Sequence, residues 1–375
     1  MKKIYKERID NMAITKPSIS VIFKTIAQTF ANRVNSKNII LIVKDDTLKT
    51  FSTKVYKEIS EVNTDSVSFT ADNLQAIKDC FVSNPTKVTV IRIDETDGVL
   101  ADALTIASTL ESSYIGVYSN VQADHTALAD WSKVQEESKK FYNAICFNLS
   151  APADSRHVIN LTNPKVVFAD STRGEVTGDK YIPSLLGYIA GRDASSQSPT
   201  YMVLDNLASV TEVADSDTAI NNGQLILFND EGQVRIIAGI NNKITVETDE
   251  NEQMKYIEYS ESMDTIYTDI YNTYKNYYLS KYKNFNDHRE ILVAAINTYF
   301  SNLVDDEILD PDGDNKASQN VDAMRKFLRD NNVDNVDTMT DAVVKNQNFG
   351  KKVFIRGNIR IAESMQDLEM ENILN

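Results

Sequence analysis

Two stretches near the chain ends alternate apolar and polar side chains with a period of two, the signature of strands with one buried face. In ITKPSISVIF, residues 14–23, Ile19, Val21 and Phe23 share one parity and Ser18 and Ser20 the other, with Pro17 punctuating the start. Near the other end Val353, Ile355, Ile359 and Ile361 oppose Arg356, Asn358 and Arg360, and Leu368 and Met370 oppose Glu369 and Glu371. The pattern predicts strands over 18–23, 353–361 and 366–374, placed as arms outside the globular body and available for pairing with other copies.

Between the arms the pattern changes twice. Strand-like runs at 38–44, 87–92, 114–118, 142–147 and 157–161 alternate with helix-like stretches at 72–81, 98–110, 123–137, which predicts a doubly wound α/β sheet. From 165 to 250 short runs (Lys165–Ala169, Gln224–Phe228, Val234–Ala238, Lys243–Val246) separated by turns such as Asn221-Asn222-Gly223 predict a second, α+β domain. Tyr267, Tyr271, Tyr274, Tyr278, Tyr282 and Phe285 recur every three or four residues and predict a helix over 263–285 with an aromatic face. Helices at about 288–303 and 318–330 follow. The expected organisation is a strand arm and connector at 1–35, an α/β subdomain at 36–164, a C-terminal domain at 165–345 and a strand arm at 346–375.

Composition narrows the functional classes. A formal charge of −15 repels phosphate backbones, which argues against nucleic acid as a partner. The longest aliphatic run, Ile39–Val43, is far short of the ~20 residues needed to span a bilayer, so membrane insertion is not expected. The opening MKKIYKERID lacks the apolar core of a signal peptide, so synthesis in the cytoplasm is expected; translation could start at Met1 or Met12. Cys80 and Cys146 read as two buried free thiols.

Candidate chemistry is sparse, and no cofactor is expected. The first apolar strand runs into KDDTLKT with no glycine where a phosphate-cradling turn needs bare backbone. Asp154, Ser155 and His157 look suggestive of a nucleophile and base, but adjacent residues rarely form a triad. Asp310, Asp312, Gly313 and Asp314 begin like a calcium loop, yet Asn315 stands where glycine is required and Val321 where the bidentate glutamate belongs. Lys275, Lys281 and Lys283 meet no acid before Asp287; they either complement the negative end of the aromatic helix or form a basic patch for an acidic partner.

The segments MAITKPSISVIFKTIAQTF, SLLGYIAGRDASSQSPTYMVL, INNGQLILFNDEGQVRIIAGINNKIT and KVFIRGNIRIAESMQDLEM, taken in order, resemble contractile tail sheath proteins. That family comprises the sheaths of myophage-type tails and R-type bacteriocins, and the chain looks most similar to the short sheaths of Gram-positive bacteria. The resemblance implies a subtilisin-like layout for the α/β part, without activity, and a conserved sheath domain over 165–345. It implies a homo-oligomeric helical sheath of stacked six-membered rings around an inner tail tube protein, with baseplate and terminator proteins at its ends. The particle would be assembled in a bacterial cytoplasm and released on lysis, as a phage tail or a bacteriocin-like device. The arms would exchange strands between subunits through Ser18, Ile19, Ser20, Val21, Ile22 and Phe23, and through Val353, Phe354, Ile355, Ile359, Ile361, Leu368, Met370 and Leu374. Tube contact falls to Lys275, Lys281 and Lys283, or to the neighbouring helix at 288–303. A different structural component of such a particle, or a hydrolase on the α/β body, are the alternative readings.

Overall fold

The structure, a computed structural model, describes residues 38–371 apart from 195, 196 and 249. The expected N-terminal arm, Ser18 to Phe23, lies outside the described residues, as does Leu374. The described residues divide into two compact units, one made of 38–265 with 363–371 and the other of Ile266–Ala362.

The larger unit is built on a seven-stranded sheet. Its strands are β1 (Asn38–Lys44), β2 (Thr53–Tyr56), β3 (Lys87–Ile93), β4 (Tyr114–Tyr118), β5 (Asn143–Phe147), β6 (Val158–Leu161) and β10 (Gln224–Leu225), in the order β10-β6-β5-β4-β1-β3-β2. All neighbours pair parallel except the antiparallel edge strand β2. Connecting helices are α1 (Ile59–Thr64), α2 (Ala71–Asp79), α3 (Leu100–Ala107), α4 (Gln122–Glu137), α5 (Ile182–Gly191) and α6 (Ser216–Asn221). In β1, Ile39, Leu41 and Val43 pack into one core with α2 and α5, while Ile40 and Ile42 pack into another with α3 and α4. A strand covered on both faces reads as an unbroken apolar run, which is why NIILIV is apolar at every position after its first.

Residues after 165 do not form a domain of their own. The strands β7 (Lys165–Phe168), β8 (Glu175–Thr177) and β9 (Leu207–Val210) make a three-stranded sheet, and β11 (Leu227–Asp230) and β12 (Gln233–Ile236) a hairpin. Val166, Phe168, Val210, Leu227, Val234 and Ile236 all enter the core shared with β1, and β10 extends the main sheet beside β6. The break in compactness therefore falls at residue 265 and not at 165. Two further expectations are corrected. The run Gln224–Phe228 is split between β10 and β11, which serve different sheets. Lys243–Val246 is not a strand, because the amides of Ile244 and Thr245 both donate to Asp154 Oδ1 at 2.9 Å instead of a ladder.

The helix α7 (Ile257–Thr273) begins in the first unit and ends in the second. It passes into a π-helical turn, Tyr274–Tyr278, closed by Leu279 N–H donating to Tyr274 O at 2.8 Å. Ser280 then takes φ +62°, so the helix expected over 263–285 stops short of Leu279. The second unit continues with α8 (Asn286–Asp305), β13 (Lys316–Gln319), α9 (Val321–Asp330), α10 (Asp341–Lys345) and β14 (Ile355–Asn358). Met324, Leu328, Val336, Val344 and Phe349 form a small core against which Phe327 and Phe354 pack. Arg289, almost fully buried and without a carboxylate ion pair among the described residues, ties three segments together by donating to Gln319 Oε1 at 3.0 Å, to Asn284 Oδ1 at 2.8 Å and to Lys345 O.

Candidate assembly surfaces

The carboxyl end of β1, where open α/β sheets bind ligands, is occupied by the chain's own side chains. The Asp45 carboxylate accepts from the amides of Thr47 and Thr70, each at 2.8 Å, and from Asn73 Nδ2 at 2.7 Å. Burial alone would raise its pKa, but these donors outweigh burial and hold it below the usual aspartate value.

The suggestive trio at 154–157 separates into three structural roles. Asp154 holds the 244–245 backbone, Ser155 Oγ donates to Glu136 Oε2 at 3.1 Å, and the His157 imidazole lies between the Asp264 and Glu136 carboxylates. The acidic loop at 310–314 is internally paired, with Arg360 Nε 3.0 Å from Asp310 Oδ2. No group of three or more His, Cys, Asp or Glu side chains placed to hold a metal occurs among the described residues. Cys80 and Cys146 are free and buried, as expected, and burial raises both thiol pKa values.

What the second unit offers instead is an open sheet edge. The strands β13 and β14 pair antiparallel, Lys316 opposite Asn358 and Gln319 opposite Ile355, as a ribbon of only two strands. The expected free strand over 353–361 is therefore tied down at both of its ends. Phe354 O accepts from Asn320 N at 2.9 Å, and Ile361 is buried and bridged to Leu309. An amphipathic strand pairs equally well within its own chain, and here β13 supplies the partner. The outer edge of β13 is already capped, since the Asn297 carboxamide donates to Ala317 O at 3.1 Å and accepts from Ala317 N at 2.7 Å. The outward backbone groups of β14, at Ile355 and Gly357, have no strand opposite them among the described residues. The expected strand at 366–374 is absent over 366–371, where Leu368 is 87% exposed and Met370 is exposed as well.

A second surface is the aromatic stripe. Tyr267 and Tyr271 stack at 6.1 Å and Tyr274 and Tyr278 at 6.5 Å, so the helical spacing of the tyrosines produces contacts along one face. Most of that face is not core: Tyr271 is 51% and Phe285 64% exposed, and Tyr277 and Tyr282 are exposed too, while Tyr278 is buried. Lys275 lies in the π-helical turn with Nζ 5.8 Å from the Tyr271 ring, and Lys281 Nζ is 5.7 Å from the Tyr277 ring. Lys281 and Lys283 sit in the loop after the helix, not on it. None of the three joins an ion pair among the described residues, although the chain is acidic overall.

One buried ionic group went unread in the sequence. Glu261 on α7 pairs with Arg192 and accepts from Tyr114 O–H at 2.5 Å, anchoring the start of this helix inside the larger unit. The i, i+3 spacing of Glu261 and Asp264 was the available signal; nothing in the sequence names their partners.

The α/β sheet has self-satisfied polar groups at the end of β1, and the helical unit offers a ribbon edge and an exposed aromatic face as surfaces for association. Comparison with known proteins makes this specific. Residues 249–375 match the phage tail sheath C-terminal domain family. The tail sheath protein of Clostridium phage phiCD119 is 28% identical over 364 residues, covering 94% of this chain and 98% of that one. The fold matches a sheath tail protein from Listeria innocua with a TM-score of 0.65 at 13% identity, covering 82% of this chain and 93% of that one. It also matches the helical sheath of the anti-feeding prophage in its contracted state with a TM-score of 0.66 at 13% identity, covering 91% and 94%. The chain is thus similar to tail sheath proteins over nearly its whole length, and the similarity supports a structural sheath subunit.

Proposed function

We propose that this chain polymerises as stacked six-membered rings around a rigid inner tube and contracts to drive that tube through a cell envelope. The observation that carries the reading is the outer edge of β14, unpaired among the described residues, on a ribbon whose other edge Asn297 caps at Ala317. An exposed edge is an aggregation hazard that monomeric proteins cover, and an added strand from a neighbour turns it into a joint. Segment 18–23, with its apolar parity Ile19, Val21 and Phe23, is the proposed donor strand, and the exposed residues 363–371 form the proposed second arm. On this reading the sheet with helices on both faces is the doubly wound α/β body of the subunit, and it acts without catalysis or cofactor.

Energy for contraction comes from the difference between two packings of the same subunits, an extended lattice trapped at assembly and a tighter one of lower free energy. Strand joints keep neighbours connected while the bodies move. The purified chain is expected to form tubes visible by electron microscopy. Monodisperse monomers at high concentration, with no tubes, would count decisively against the proposal.

Lys275, Lys281 and Lys283 are the proposed contact to the tube, with the exposed tyrosines beside them supplying apolar area. Charge reversal of all three to glutamate is expected to abolish co-assembly on the tube protein while leaving tube-free sheath formation intact, as read by sedimentation of the two mixtures. Unchanged co-assembly would remove this assignment and move the contact to α8. Baseplate and terminator proteins are the proposed partners at the two ends of the sheath, in a phage tail or a phage-tail-like particle released on lysis.

A further inference from the structure

The densest buried cluster of titratable groups lies in the larger unit, away from both surfaces. His157, at the entrance to β6, is fully buried with its ring stacked on Phe141 at 5.1 Å. Its Nε2 is 2.8 Å from Asp264 Oδ2 on α7, and its Nδ1 is 3.1 Å from Glu136 Oε2 at the end of α4. Arg156 spans the same two carboxylates, 2.7 Å from Asp264 Oδ1 and 3.2 Å from Glu136 Oε1, and also donates to Ser260 O at 3.3 Å. Each element packed around the imidazole is thus accounted for: Glu136 from α4, Arg156 and Ser155 from its own strand's approach, Asp264 from α7 and the apolar Phe141 from the approach to β5.

Two carboxylates and one guanidinium leave the site one positive charge short of neutrality unless the imidazole is protonated. A neutral imidazole also carries one N–H for two flanking carboxylates, so one lone pair of a fully buried ring would face an anion. We propose that Glu136, His157, Asp264 and Arg156 form a proton-dependent clamp that fastens the first turns of α7 to the α/β unit and releases them when His157 loses its proton. The helix held in this way continues past residue 265 into the segment bearing Tyr267 and Tyr271. The clamp stands independently of the sheath reading, because every group in it belongs to one chain.

Burial alone would lower the pKa of His157, but Asp264 and Glu136 outweigh it and hold the imidazole above its ordinary 6.5. Burial alone would raise Glu136, yet the hydrogen bond and charge of His157 outweigh burial and bring it to about 2. A folded-state pKa raised above the unfolded value gives stabilisation that is complete below the unfolded pKa and is lost as pH rises through the folded one. The contact between His157 and Glu136 is therefore lost on the acid side as Glu136 is protonated at about 2, and the clamp opens on the alkaline side as pH rises through the raised pKa of His157.

Only three histidines are present, so the chain labelled with 13C-histidine gives three Cε1 resonances to follow against pH. One is expected to titrate clearly above 6.5 and to vanish in His157→Gln. Deuterium exchange of peptides covering 257–265, corrected for intrinsic rates, is expected to accelerate by about tenfold per pH unit from 6.5 to that pKa and to level off beyond it. In His157→Gln this pH step should disappear. If that variant does not fold, His125→Gln and His288→Gln assign the resonance by elimination and the wild-type profiles decide. A His157 resonance titrating at or below 6.5, or exchange that stays flat through its titration, would overturn the clamp.

Discussion

Gly357→Pro is expected to leave the chain folded and to abolish its polymerisation. Backbone groups along β14 alternate between the ribbon and the outside. The bond from Asn320 N to Phe354 O and the capture of both Ala317 groups by Asn297 fix which positions face which way. Ile355 and Gly357 point outward, and Arg356 points to Ser318 in β13. Proline at 357 removes an outward N–H and costs the ribbon nothing in hydrogen bonds, the one arrangement in which a strand tolerates it. Space is available too, because a Cβ on Gly357 would meet the Phe300 ring no nearer than 3.5 Å. The expected change in stability is within about 1 kcal/mol, while sedimentation and electron microscopy should find no tubes where the parent forms them. Arg356→Pro is the contrast: it breaks the ribbon itself and should lower stability and assembly together. Tubes of ordinary length from Gly357→Pro would show that the β14 edge is not the joint.

The sequence made the α/β body legible wherever burial was two-sided. Ile39–Val43 is an apolar run because both faces of the sheet are covered, Lys87–Ile93 is buried from Val88 onward although it includes Thr89 and Arg92, and the amphipathic α4 lies within a residue of its expected limits. The helix α5 carried no such signal, since every residue from Ile182 to Gly191 is buried and no polar face marks its period. Its glycines are the physical trace, for a Cβ at Gly187 would sit 2.7 Å from Cys80 O, so the helix packs backbone to backbone against the end of α2. Short strands misled in the other direction. A period of two over four residues says that a face is buried but not against which sheet, so β7 to β12 read as a separate domain when they complete the main core.

The candidate assembly surfaces were legible to the same limit. Alternation at 353–361 identified a strand with one apolar face, while the choice between a partner in the chain and one outside it depends on β13, some forty residues earlier in sequence. The aromatic stripe was legible as a helix face, and its exposure was not, because tyrosines at helical spacing fit a core as well as a surface. The π-helical turn that carries Lys275 and ends the helix before Lys281 has no periodicity of its own to betray it.

The largest loss of fold stability is expected from Glu261→Leu. Arg192 is 2% exposed, and Glu261 is its one carboxylate among the described residues; it also donates to Ile189 O at 2.6 Å and Gln197 O at 2.9 Å. Leucine leaves a guanidinium buried among neutral carbonyls and deprives Tyr114 O–H of its acceptor, a change that costs about 3–5 kcal/mol for a broken buried pair. Removing both charges is cheaper than removing one. Arg192→Met with Glu261→Leu no longer strands an ion, but it leaves two carbonyls unpaired at about 1–3 kcal/mol each, so only part of the loss should return. The measurement has a built-in reporter, since the chain's one tryptophan, Trp131, packs on Tyr142 at 4.8 Å within the same unit. Urea unfolding followed by its fluorescence should show the single variant far to the left of the parent and the double variant between them. A loss below about 1 kcal/mol for Glu261→Leu would mean that water reaches Arg192 and that this pair does not anchor α7.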